Sequence, residues 1–353
     1  MPRGISTTHS EAASHVRDAA SELHARPTRS ALAQSIADAS GRLLPVLGQH
    51  VVRTPLTPLI GPAGTHEMSV LIKSEHLQHT GSFKVRGATA KLLALTAAEL
   101  EGGVITASSG NHGLGVAYAL ASLGARGTVY VPQGASEVKV AAIRRLGATV
   151  VEHGSVMDET EAHARATAGQ AGLVYISPYN DEQVIAGQGT IALEILEQLD
   201  GAPLDAVYLA VGGGGLASGI GAVLRALSPR TRLIGVSPAN DAAMAASVRA
   251  GRVVEPPTSP TLSDGTAGGI EPGAITLPLC AELIDEWVLV DEAQIRGALR
   301  QFIDVQHQLI EGAAAVPLAA ALQQATARIG QRVAVVACGA NISAARLRDA
   351  LQP

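Results

Sequence analysis

The stretch Thr80-Gly-Ser-Phe-Lys-Val-Arg-Gly-Ala88 sets a lysine, Lys84, inside a small-residue turn, with Phe83 before it and Arg86 two residues after. A lysine amine does chemistry when it sheds its proton and attacks a carbonyl, as in a Schiff base with an aldehyde. Most lysines are solvated surface charges, so the stretch gains weight only from its company. Downstream, in order, come Ser108-Ser-Gly-Asn-His-Gly113, Val184-Ile-Ala-Gly-Gln-Gly-Thr-Ile-Ala-Leu-Glu194, Gly212-Gly-Gly-Gly-Leu216 and Cys338-Gly-Ala-Asn341. Consecutive glycines such as Gly212, Gly213, Gly214 and Gly215 let successive N–H groups face one anion, and a following helix N-terminus adds a favourable dipole. Gly212-x-Gly214-x-x-Ala217 also satisfies the dinucleotide-binding pattern, but that fingerprint expects an acid about 20 residues on. Here the next apolar run ends in Ser237-Pro238, with no acid. Taken alone, the run leaves phosphate cup and tight turn equally open. Cys338, at the end of an apolar run, reads by itself as a small buried hydrophobe. Glu311, flanked by apolar residues, reads as a site carboxylate or as an inert acid at a helix start.

The elements that must position these residues alternate in kind. Val104–Ala107, Gly127–Val131, Ala148–Val151, Asp205–Val211, Arg232–Val236 and Arg332–Ala337 are short apolar runs expected to form buried strands. Between most of them lie helical patterns, including 113–123, 138–146, 160–170 and 216–227, and an amphipathic one over 28–50. Such alternation, with continuous apolar strands, implies parallel sheets covered on both faces. The 353-residue chain has room for two lobes. It is 47% hydrophobic and 16% charged, with only 2% aromatic residues, so its core is built mainly of Ala, Val, Leu and Ile. A net charge of -5 gives no basic footprint for nucleic acid. No run reaches the ~20 apolar residues of a membrane span, and the N-terminus lacks the apolar stretch of a secretory signal. Two cysteines, Cys280 and Cys338, suggest neither a disulfide framework nor a cysteine-cluster metal site. A cytoplasmic location is expected. Residues 1–27, rich in Ala, Ser, His and Arg, are expected to be a flexible tail or a short extra helix.

The five ordered motifs, from about Pro45 to the C-terminus, resemble those of the fold-type-II pyridoxal-phosphate enzymes, in particular the serine/threonine dehydratase (ammonia-lyase) and serine racemase family. The resemblance implies a two-lobed α/β architecture of the tryptophan-synthase-β-like kind, with three-layer lobes built on parallel sheets. Residues 28–102 and 182–353 would form a large cofactor-binding domain and 103–181 a small one, with pyridoxal 5'-phosphate between them. It implies that Lys84 forms the Schiff base, that Phe83 lies against one face of the cofactor ring, and that Gly212–Gly215 with Leu216 hold the phosphate. Asn111 would bond the ring's phenolic oxygen. Ser108, Ser109, Gly110, Asn111 and His112 form the loop used for the substrate carboxylate, where exposed N–H groups suit an anion, with His112 structural rather than a base. Cys338 takes the place beside the pyridine nitrogen. A thiol there does not keep that nitrogen protonated, which favours loss of a β-leaving group over transamination. The Glu311 segment and the Asp264-Gly265 loop resemble stretches near the ring and the lysine.

The reaction implied is β-elimination from a β-hydroxy amino acid, giving a 2-oxo acid and ammonia, with Lys84 also taking the α-proton. A racemase using Lys84 and Ser109 on opposite cofactor faces is the nearest alternative. A β-replacement synthase and a catalytically dead homologue are further away. Many family members hold a divalent metal through a glutamate in a Gly-Val-Glu-Pro segment and an aspartate six residues later. This chain has Ser237 and Ala243 at those places, so no metal is expected there. That segment, with Thr261-Leu-Ser-Asp264 and Gly268-Gly-Ile270, looks like the hydroxyectoine-utilisation dehydratase branch. The resemblance further implies a homodimer and an amino-acid substrate. Because the sequence ends soon after Cys338, neither a C-terminal regulatory domain nor feedback control by isoleucine is expected.

Overall fold

The computed structural model describes residues 30–60 and 68–352; the tail expected over 1–27 lies outside the described residues. Ten strands follow in chain order among them: β1 Leu56–Pro58, β2 Ser69–Lys73, β3 Val104–Ala107, β4 Gly127–Val131, β5 Thr149–Glu152, β6 Val174–Tyr175, β7 Ala206–Ala210, β8 Arg232–Pro238, β9 Glu286–Val290 and β10 Arg332–Val336. They form a six-stranded sheet in the order β1-β2-β10-β7-β8-β9 and a four-stranded sheet in the order β5-β4-β3-β6. Every pairing is parallel except β1 with β2, where Leu56 lies opposite Lys73 in antiparallel register. The connection 59–68 is shorter than the crossover of about a dozen residues that a parallel neighbour needs, so β1 can only fold back. The large sheet is therefore mixed at this one edge.

The central strands are apolar throughout because helices cover both faces. β7 and β3 are buried along their whole length. Those two strands and β10 also place the site. β3 runs into the helix Asn111–Leu123, β7 into the helix Gly215–Leu227, and β10 into the Cys338–Asn341 segment. In parallel α/β sheets the crevice beyond the carboxyl ends of the strands is where ligands bind.

Three helices pack with their backbones close together: Lys84–Leu93, Glu182–Leu199 and Gly215–Leu227. A Cβ on Gly187 would sit 2.7 Å from Arg86 O and from the Ala90 Cβ, and one on Gly189 would sit 2.9 Å from Gly219 O. The Gly-Gln-Gly segment at 187–189 is thus a close-approach device between helices. Beneath Lys84, Arg86 makes paired bonds to Glu75 (2.8 and 2.8 Å) and to Glu194 (2.7 and 2.9 Å). Lys73 Nζ donates to Glu194 at 2.6 Å, to Thr54 O at 2.7 Å and to Gln198 at 3.0 Å. All four charged side chains are buried. Two carboxylates meet two cations, and the cluster closes with no net charge.

Candidate active site

The turn that carries Lys84 is fixed by backbone pairing. Phe83 N–H donates to Cys338 O (3.0 Å), Ala340 N–H donates to Gly81 O (2.8 Å), and Ser82 bridges Gly339. Gly81 adopts φ +70, and a Cβ there would lie 2.9 Å from Asn341 Oδ1, so the turn requires glycine on two counts. Lys84 then opens the helix Lys84–Leu93, and its Nζ donates to Pro178 O at 2.8 Å. Burial lowers its pKa to about 8, against the opposing pull of Cys338 and Glu311. An amine in this state is partly neutral near physiological pH and ready to attack a carbonyl.

Gly212–Gly215 follow β7 and lead into a 13-residue helix. The first N–H groups of a helix have no partner within it, so the turn presents donors to an anion. Side chains are excluded here. Gly214 has φ +85 and a Cβ on it would lie 2.8 Å from Cys280 Sγ, while one on Gly213 would overlap the Tyr179 ring. Tyr179 is held in place because its hydroxyl accepts the Glu271 N–H at 2.9 Å. The glycines, Leu216, Phe83, Lys84, Asn111 and Cys338 line one cavity.

Asn111 opens the helix after β3 and is bonded on both sides. Its Nδ2 donates to Glu311 Oε1 (2.8 Å) and its Oδ1 accepts from Asn341 Nδ2 (2.6 Å). Glu311 also accepts the Asn341 N–H at 3.0 Å. Burial, reinforced by Asp264, raises the Glu311 pKa to about 7 despite these bonds. The Cys338 thiol is buried and pushed well above its ordinary value, first by desolvation and then by Glu311, so it stays a thiol. His112 is buried with Nε2 at 3.1 Å from Ile176 O, and burial with Lys84 nearby brings it to about 3. With the ring neutral, Nε2 donates to that backbone carbonyl.

The cavity opens into a cleft of about 1460 Å³ shared with solvent, onto which Ser108, Ser109, Gly110 and His112 face alongside Lys84. Ser108 Oγ accepts the Gly110 N–H at 3.1 Å, which holds the turn open toward that cleft. Asp264 and Gly265 also line it. At the place of the family's metal site, Ser237 Oγ donates to Val211 O (3.1 Å), Ala243 begins the helix Ala243–Ala250, and nearby Asp241 accepts the Gly268 N–H (3.0 Å). Among the described residues no three His, Cys, Asp or Glu side chains are grouped to hold a metal ion.

The structure thus brings Phe83, Lys84, Asn111, the glycine run, Leu216 and Cys338 to one cavity, and the Ser108–His112 loop to its mouth. Sequence reasoning missed Tyr179 and Thr266, which also line that cavity. A Pro178-Tyr179 pair just after a short strand was the available signal for the first; the second had none.

A glycine cup without room for side chains, a partly neutral lysine and an amide near it fit a phosphorylated aromatic aldehyde. Comparison with known proteins agrees. Residues 47–339 match the family described as pyridoxal-phosphate dependent enzyme. A putative threonine dehydratase of Sinorhizobium fredii is 40% identical over 304 residues, covering 86% of this chain and 91% of its own. The processed form of threonine deaminase isoform 2 from Solanum lycopersicum superposes with a TM-score of 0.83 at 34% identity, covering 89% of this chain and 92% of that one. Maize serine racemase superposes with a TM-score of 0.80 at 28% identity, over 90% and 95% of the two chains. The chain belongs to the pyridoxal-phosphate dependent enzymes, and within them to the ammonia-lyases of the serine/threonine dehydratase group.

Proposed function

We propose that this enzyme converts L-threonine or L-serine to the 2-oxo acid and ammonia, and that the residues gathered at the cavity carry the reaction. The observation behind this reading is the meeting of Lys84, Asn111 and the Gly212–Gly215 cup in one cavity, beneath a loop suited to a carboxylate. Gly212–Gly215 and Leu216 would hold the phosphate, Phe83 would cover the ring, Asn111 would bond its phenolic oxygen, and the Cys338 thiol would sit at its nitrogen. Bound there, pyridoxal phosphate supplies the carbonyl for the covalent link and the sink for the α-carbon's electrons.

The rest falls to the chain itself. The Ser108–His112 loop orients the substrate carboxylate. Lys84 Nζ, freed from its covalent link and in a buried setting that favours the neutral amine, accepts the α-proton. The β-hydroxyl leaves as water, its extra proton balanced by the α-proton that Lys84 removed, and hydrolysis of the released enamine gives the 2-oxo acid and ammonia. Because the Cys338 thiol stays protonated, it offers the ring nitrogen no carboxylate-like partner, which supports elimination over transamination.

A second reading is racemisation, supported by Ser109 on the cleft beside Lys84. The finer assignments are proposals of the same kind: lobes at 28–102 with 182–353 and at 103–181, a homodimer, a cytoplasmic location, and membership of the hydroxyectoine-utilisation branch. The rival substrates are 3-hydroxyaspartate, phenylserine and hydroxyectoine-derived amino acids. No helix among the described residues is long and apolar enough to cross a membrane.

The test is 2-oxo acid release by the cofactor-loaded enzyme with L-threonine and L-serine in a metal chelator. Chelator-resistant turnover is expected. Absence of release, while the visible absorbance of the bound cofactor persists, overturns the threonine/serine assignment.

A further inference from the structure

Asn341 belongs to the Cys338–Asn341 motif, yet nothing above gives its side chain a part in the chemistry. We infer that Asn341 is a positioning residue that fixes which way the Asn111 amide faces, and so presents an Asn111 N–H, rather than its carbonyl, to the cofactor.

The inference follows from a chain of hydrogen bonds whose polarity is set at the Thr80 end by a group that cannot reverse. Thr80 O is an acceptor only. Asn341 Nδ2 donates to it at 2.8 Å, which fixes the orientation of the Asn341 amide. The same Nδ2 donates to Asn111 Oδ1 at 2.6 Å. At the other end the Asn341 N–H, a donor only, holds Glu311 Oε2 at 3.0 Å, while Glu311 Oε1 accepts Asn111 Nδ2 at 2.8 Å. Glu311 has little freedom to move, since a Cβ on Gly339 would overlap its carboxylate.

Turning the Asn111 amide over would put its oxygen against Glu311 Oε1 and its NH2 against Asn341 NH2. The contact with Asn341 would then join two donors whatever the charge of Glu311, and the contact with Glu311 would join two acceptors while that carboxyl is ionised. In the observed orientation one Asn111 N–H is spent on Glu311 and the oxygen on Asn341. The second N–H is the remaining polar group of that side chain, which lines the cavity with Lys84 and Cys338. Asn341 itself lines the outer cleft and not this cavity, so it acts through Asn111. It also ties the turn leading to Lys84, through Thr80, to the helix that Asn111 opens.

This rests on the cofactor reading proposed above, and the experiment separates the two. Apoenzyme of Asn111→Ala, Asn341→Ala and the double variant is titrated with pyridoxal phosphate, and the Kd is read from the growth of visible absorbance. Each single variant is expected to weaken binding by roughly tenfold to a hundredfold, the range for a lost hydrogen bond to a charged group. The double variant should be no weaker than Asn111→Ala alone, because Asn341 has nothing left to orient. A merely structural asparagine would instead give additive losses, which overturns the inference. Asn341→Asp keeps the shape but replaces the donor with an acceptor, so it should weaken binding at least as much as the alanine variant while the chain stays folded. Wild-type affinity in both Asn341 variants also overturns the inference. Wild-type affinity in Asn111→Ala overturns the role of Asn111 at the cofactor, and the inference falls with it.

Discussion

Two buried sets of cations and carboxylates in this chain hold their glutamates in opposite ways. In the first, Lys73, Arg86, Glu75 and Glu194 are locked into paired bonds of 2.6 to 2.9 Å. Burial disfavours every charge there and lowers the Lys73 pKa even against Glu75 and Glu194, yet Arg86 and Lys73 hold the Glu75 carboxyl below its ordinary value, and the two carboxylates raise that of Arg86. In the second, Lys84 has a backbone carbonyl as its partner and Glu311 has two amides, with no ion pair between them. Desolvation prevails, drawing the lysine down to about 8 and the glutamate up to about 7. Between the glutamates the difference lies in the partners, cations for Glu75 and amides for Glu311, since residue type and burial are shared. A paired buried charge is structural, whereas one left short of partners is free to exchange its proton.

The sharpest way to break this contrast is to remove one cation from each set. Lys84→Ala should lower turnover by about 10⁴-fold or more, since it removes both the covalent link and the base. Urea unfolding of that apoenzyme should show no loss of stability. Arg86→Met should do the reverse to stability, costing about 3–5 kcal/mol in the same measurement, because Glu75 and Glu194 are left buried with too little positive charge. Equal stability losses in the two variants would refute the distinction.

A smaller effect sharpens the description of Lys84. Only the neutral amine attacks the cofactor aldehyde, so the rate of cofactor capture by the apoenzyme should rise with pH and level off above a midpoint near 8. Glu311 favours the charged lysine, so Glu311→Gln should move that midpoint lower. The same shift has a stability sign. Between about 8 and the ordinary lysine value of 10.5 the folded chain binds fewer protons than the unfolded one. This group's contribution to apoenzyme stability therefore grows as pH rises through that window, as urea midpoints at pH 8 and 10 would show. A capture midpoint unmoved from 10.5 would mean that Lys84 is not desolvated. The smallest change is expected for Ser109→Ala, with 2-oxo acid formation altered by less than about tenfold. Loss of any D/L interconversion of serine in that variant, followed by chiral chromatography, would favour the racemase reading.

Much of the frame was legible in the sequence. Val104–Ala107 and Gly127–Val131 form strands with the expected ends, because a continuous apolar run between turns is the signature of a strand covered on both faces. β1, β2, β6 and β9 escaped notice. β1 and β6 have only three and two residues. β9 lies at a sheet edge with most of its residues partly exposed, so its apolar pattern is diluted. The helix expected from 113 starts at Asn111, since Gly110 rather than a side-chain cap marks its beginning.

The candidate site divides in the same manner. Residue types and local order alone determined that Lys84 follows a glycine-permitted turn, that Gly212–Gly215 stand between a strand and a helix, and that Ser237 and Ala243 replace carboxylates. Turn chemistry and the strand–helix junction are short-range, so they survive in a linear text. Tertiary structure decided which charges would be paired. Arg86 and Glu194, which the motifs place beside the chemistry, instead meet Glu75 and Lys73 in the core. Glu311 and Asn341, 200 and 230 positions from Asn111, close around it. Electrostatic character depends on distance, solvent exclusion and partners in three dimensions, and none of these is a property of neighbours in sequence.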